Sequence, residues 1–177
     1  MSTMRTLLFA ALAAGCMTAI GPMGIEAQET QIGIARGRVP PALTLPDMNG
    51  GDVDLGEHFG RGPVLLEFWA TWCENCKALH PRMLEAHRKF GGEVSFFAIA
   101  VGVGQSERRV REHLEKYPVP FPTLWDGGGE AVRAFQTPAT SYIVILDSEG
   151  RVAYTGLGRD QDIEAAILAI LGPQAAD

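Results

Sequence analysis

An apolar run, Pro63-Val64-Leu65-Leu66-Glu67-Phe68-Trp69, leads within three residues into Cys73-Glu74-Asn75-Cys76, and this junction constrains the fold more than any other part of the chain. The run reads as a buried strand. The stretch from Glu74 to Phe90 places Cys76, Leu79, Met83, Leu84 and Phe90 at helical spacing, and Gly91-Gly92 ends it. A strand passing directly into a helix puts Cys73 at the helix N-terminus, where unpaired backbone N–H groups and the positive end of the macrodipole favour a thiolate. Cys76 follows one turn later on the inward side. Cys73 is therefore the expected attacking sulfur, and Cys76 the thiol that resolves its mixed disulfide.

Blander roles for the pair fit less well. Structural zinc needs four ligands; the third cysteine, Cys16, lies in a distant apolar leader, and no histidine pair has ligand spacing. A haem attachment motif needs His after the second cysteine, where Lys77 stands. A purely structural disulfide closing so short a loop would constrain the unfolded chain little. No metal and no cofactor beyond a redox-active Cys73-Cys76 disulfide is expected.

Glu67-Phe68-Trp69-Ala70-Thr71-Trp72-Cys73-Glu74-Asn75-Cys76-Lys77 resembles the active-site signature of the thioredoxin superfamily, and Pro81 falls where that family kinks its first long helix. Thr137-Pro138 before Tyr142 to Asp147 resembles the family's proline-preceded strand, and Gly150 to Gly156 its closing hairpin. Ala42 to Asp47 with Gly50-Gly51, together with the leader, is similar to the TlpA/ResA-like branch, whose members work outside the cytoplasm. The resemblance covers about residues 40 to 171. It implies an α/β fold: a thioredoxin-like mixed sheet flanked by helices, with an N-terminal β-hairpin and a central strand-helix insertion over Phe121 to Phe135. It also implies a protein-disulfide oxidoreductase acting on exported protein thiols and disulfides, supplied by a membrane electron donor, with cytochrome c or copper-site maturation as settings. A monomer is expected.

Three further site expectations follow. Glu67, six positions before Cys73 in an otherwise apolar run, should have a raised pKa if buried. The resemblance makes it a proton relay for Cys76; the alternative is an exposed edge position paired with Lys77 or Arg61. For Pro138 the base rate favours a trans bond, whereas the resemblance implies a cis bond facing the dithiol, with the backbone of Thr137 free to pair with an extended client. Trp72, Glu74, Asn75, Thr137 and Pro138 are the expected client-contacting residues. Asn75 replaces the proline that many relatives carry before the second cysteine, and Glu74 brings negative charge to Cys73. Both weaken thiolate stabilisation, which favours a reductase over an oxidant.

The rest of the 177 residues bounds these expectations. An apolar content of 46% supports one ordinary core, and a net charge of −6 argues against a nucleic-acid surface. Residues 1–27 are expected to be a signal peptide or membrane anchor: Arg5 precedes an apolar run, Ala27 offers a cleavage site, Leu7 to Ile25 is about long enough to span a bilayer, and Cys16 offers a lipidation site less well placed. Residues 28–41 are expected to form a flexible approach segment and 42–177 the domain. An extracytoplasmic location, in the periplasm, secreted or tethered, follows from the leader. Gly102-Val103-Gly104-Gln105-Ser106-Glu107 superficially matches a dinucleotide-binding turn, but Glu107 stands where the third glycine should be and would repel a pyrophosphate. Rival functions are a thiol peroxidase, for which Leu66 and Ala70 occupy the places of Pro and Thr/Ser, and a non-catalytic copper-binding module.

Overall fold

The computed structural model describes residues 31–172, and the leader expectations, Cys16 included, lie outside them. In chain order the elements are β1 (Thr44–Pro46), β2 (Asp52–Asp54), β3 (Val64–Trp69), α1 (Glu74–Phe90), β4 (Ser95–Val101), α2 (Glu107–Lys116), β5 (Thr123–Asp126), α3 (Glu130–Ala134), β6 (Tyr142–Leu146), β7 (Val152–Leu157) and α4 (Ile163–Leu171). β1 and β2 pair as an antiparallel hairpin, and the others form a sheet in the order β5-β4-β3-β6-β7. β4 runs parallel to β3 and β5, whereas β6 is antiparallel to both β3 and β7. This is the expected mixed α/β arrangement, with β5 and α3 as the strand-helix unit.

Burial explains the strand order. All six residues of β3 and all five of β6 are buried, because their continuous apolar runs need cover on both faces. Alternation along β3 sends Phe68 to one face, against Phe135 and Tyr142 at ring-centroid distances of 5.5 and 5.8 Å. It sends Glu67 and Trp69 to the other, where α1 and α2 lie.

Local chemistry sets the turns. The Asp47 carboxylate accepts from the amides of Asn49 and Gly51, each at 2.8 Å, and closes the β1-β2 hairpin. Asp54 accepts from the Gly56 amide and starts a short 3-10 turn, Leu55–Glu57, that ends the hairpin. α4 begins at Ile163, because Asp162 caps the Ala165 amide.

The approach segment is tied down over its described part, against the expected mobility. Ile34 is buried and its amide donates to the Phe135 carbonyl at 3.1 Å; Gly37 and Arg38 exchange backbone bonds with Val152 at the sheet edge. Gly33 has φ 69°, and a Cβ there would collide with the Tyr142 ring, whose hydroxyl donates to the Ile32 carbonyl. Three anchoring points of this kind offset the ordering entropy that composition alone would leave unopposed.

Candidate active site

Cys73 and Cys76 form a disulfide with their Cα atoms 5.3 Å apart. Cys73 is the N-cap of α1, and its sulfur accepts from the Cys76 amide at 3.0 Å. When the bond is reduced, that amide and the helix dipole are in place to stabilise a Cys73 thiolate. Exposure does not rank the sulfurs, since the two residues are 5% and 4% accessible. The capping geometry does.

The front of the site is solvated and held by polar contacts. Trp72 is 44% exposed, and its indole N–H donates to the Val103 carbonyl at 2.9 Å. The Thr71 amide donates to Gln105 Oε1, and Gln105 Nε2 reaches the Val101 carbonyl. Gly104, at φ 68°, lies so close to Trp72 that a Cβ would sit 3.3 Å from its indole nitrogen. The glycine-containing turn after β4 is therefore a brace for Trp72 and the dithiol loop. Glu74 pairs with Lys77, and that contact holds its carboxyl below the usual range. Asn75 Oδ1 accepts from Arg159 Nε at 2.9 Å, while Arg82 donates to the carbonyls of Arg159 and Gln161. Gln105, Arg82 and Arg159 escaped sequence reasoning, because the polar contacts that bring them to the site join parts of the chain that are distant in sequence.

The back of the site is apolar and poorly partnered. Glu67 lies on the central strand and is 6% exposed, which removes the edge-strand alternative. Burial alone pushes its carboxyl up to about 8. It lines a cavity of about 380 Å³ with Cys76, Trp69, His80, Pro81, His113 and Thr123 among others. Trp69 Nε1 and Thr123 Oγ1 in this cavity are buried without a hydrogen-bond partner. Pro81, inside α1, has no N–H to return to the Lys77 carbonyl.

The Pro138 loop reaches the same end of the sheet, because the Ser141 amide donates to the Phe68 carbonyl just before the dithiol loop. The cis bond implied by resemblance is not found: among the described residues every peptide bond is trans. Gln136, at φ 50°, and Ser141, at φ 65°, make the reversal from α3 into β6 instead. Gln136 thus adopts the left-handed conformation that glycine adopts most readily. The Thr137 amide already donates to the Val132 carbonyl at 2.9 Å, so strand addition by a client would have to use the Thr137 carbonyl.

A mixed sheet with a dithiol at the tip of the helix leaving its central strand defines a thioredoxin-fold protein. The chain belongs to the Redoxin family, whose profile matches residues 35–170, and within the thioredoxin superfamily it is TlpA/ResA-like. It is 32% identical over 119 residues to the thiol-disulfide oxidoreductase ResA of Bacillus subtilis, covering 67% of this chain and 65%, just under two thirds, of that relative. To ResA of Geobacillus kaustophilus it is 30% identical over 142 residues, covering 77% of this chain and 79% of the other. A crystal structure from Chlorobium tepidum, bearing the name thiol:disulfide interchange protein DsbE, superposes with a TM-score of 0.71 at 25% identity, over 78% of this chain and 99% of that one. Among the described residues no helix is long and apolar enough to cross a membrane.

Proposed function

We propose that this chain is a thiol-disulfide oxidoreductase that reduces disulfides of exported proteins. The observation that carries the reading is the Cys73-Cys76 pair at the start of α1, with the Cys76 amide on the Cys73 sulfur. The Cys73 thiolate attacks a client disulfide, forming a mixed disulfide and releasing the first client sulfur as a thiolate that takes a proton from water. Cys76 passes its proton to the Glu67 carboxylate and attacks the Cys73 sulfur. The second client sulfur leaves, the client has gained two electrons, and the Cys73-Cys76 disulfide has formed.

Trp72, Glu74, Asn75, Thr137 and Pro138 form the client-facing rim in this reading, and the disulfide needs no cofactor or metal. A dithiol protein of the membrane returns the electrons, and the N-terminus delivers or tethers the domain outside the cytoplasm. Cytochrome c and copper-site precursors are the client classes we favour. The names and identities of the ResA relatives support the activity.

The test is trapping. A Cys76→Ser variant expressed with its leader should accumulate mixed disulfides through Cys73 that dissolve in reductant, and a Cys73→Ser variant should not. Equal trapping by both variants, or by neither, overturns the reading.

A further inference from the structure

The cavity behind the disulfide is walled by five elements: β3, β4 and β5 form its floor, α1 and α2 its roof. Glu67, Ala98 and Thr123 occupy one row of the sheet in register, and the small Ala98 side chain leaves open the space between the carboxyl and the hydroxyl. His80 lies four residues after Cys76 on α1 and hence on the same helical face. His113 projects from α2 and packs on Trp69 at 5.4 Å and on Tyr117 at 5.0 Å between ring centroids. Both imidazoles are partly exposed and line the cavity that holds Glu67.

We propose that His80 and His113 form a proton gate, relaying protons between bulk water and the buried Glu67 carboxyl through water in this cavity. The inference rests on the reading of Glu67 as the base for Cys76. A base that is protonated at neutral pH must lose its proton before it can accept one from Cys76, and a carboxyl buried in the wall of this cavity needs a route for it. The volume far exceeds the roughly 10–15 Å³ that a water requires. Trp69 Nε1 and Thr123 Oγ1, both unpartnered, offer one donor and one hydroxyl along that route.

The groups facing the imidazoles suit this task. Lys77 and Cys76 approach from α1, Lys116 and Tyr117 from α2, and Glu67 from β3. Burial lowers the pKa of both histidines, and for His113 the charges of His80, Lys77 and Lys116 lower it further. Neutral imidazole has one nitrogen to accept a proton and another to release one. The transfer balances simply: Glu67 carboxyl plus imidazole gives carboxylate plus imidazolium, which then gives its proton to water. His80 and His113 act through Glu67, so they are relay residues and do not touch the reacting sulfurs in this scheme.

The test uses the oxidised full chain, with no client present. A pH jump from 6 to 9 in weak buffer is followed by the infrared band of the protonated Glu67 carboxyl, assigned by its absence in Glu67→Gln. His80→Ala/His113→Ala should slow the loss of this band by about tenfold or more, and added imidazole should restore the rate. His80→Gln/His113→Gln keeps the side-chain bulk and should be slow as well, which covers the case of an alanine variant that fails to fold. An unchanged rate overturns the gate, as does a slowing that imidazole leaves in place. Because this readout needs no sulfur chemistry, it separates failure of the gate from failure of the oxidoreductase reading, which the trapping experiment addresses.

Discussion

The two sides of the disulfide contrast sharply. In front, Trp72, Glu74 and Asn75 are exposed, and each has a polar partner: the Val103 carbonyl, Lys77 and Arg159 respectively. Behind, Glu67, Trp69 and Thr123 are buried; the last two have polar atoms without partners, and the first has burial as the sole cause of its raised pKa. Polar groups exposed to water cost little and can be exchanged freely, whereas unpartnered buried ones, which also include the Thr71 and Thr137 hydroxyls, reduce stability. In the proposed reading, client contact belongs to the front and proton handling to the back.

The contrast breaks most severely at the sulfurs themselves. Cys73→Ser should reduce disulfide exchange to background, measured by mass spectrometry of a model disulfide peptide, because no other thiol among the described residues stands at a helix start. If activity survived, neither side would have its assigned role.

Glu67→Gln should come next. Loss of the base should slow resolution of the mixed disulfide by about 10²-fold in single-turnover kinetics. The same variant reports on stability. A carboxyl pushed up to about 8 holds a proton in the folded state that the unfolded chain releases near its ordinary carboxylate pKa. Below that ordinary value both states are protonated and the group is neutral to stability. Between there and about 8 the folded state binds more protons, so stability falls as pH rises, at about 1.4 kcal/mol per pKa unit. Urea midpoints of the native chain should therefore drop across this window, and Glu67→Gln should remove most of that drop. An identical pH slope in both proteins would mean that burial does not raise the Glu67 pKa.

Thr123→Val tests the back more gently. Replacing an unpartnered buried hydroxyl by a methyl should leave stability unchanged or raise it by about 1 kcal/mol; a clear loss would reveal a partner. The smallest effect belongs to the front. Glu74→Gln removes a negative charge near Cys73 and should lower the pKa of the reduced Cys73 by a fraction of a unit, read by thiolate absorbance against pH, with no change in the melting temperature. A large stability change there would mean that the front is structural after all.

Much of the fold was legible because its signals are local. Glu74–Phe90 is helical from end to end as its spacing implies, since its apolar period, its cap and its Gly91-Gly92 stop lie within the segment. β7 runs on to Leu157, because pairing with Tyr142 and Ile143 on β6 extends it, and register with a distant strand is not written in the segment itself. The anchoring of Ile34 to Phe135 and Tyr142 was hidden for the same reason: a polar, glycine-containing stretch looks free until its partner, some hundred residues away, is in place.

By itself the sequence determined the dithiol at a strand-helix junction and the oddity of a glutamate in an apolar strand, both consequences of spacing and side-chain type within a few turns, while the mixed α/β class came from the resemblance those residues carry. Only the tertiary structure decided that Glu67 is central and unpaired, that the turn at Gln136 carries a trans Pro138, and that His80 and His113 share a cavity with Cys76. Burial and cavity walls are sums over elements distant in the chain, and the free energy that shifts a proton depends on that sum rather than on any local pattern.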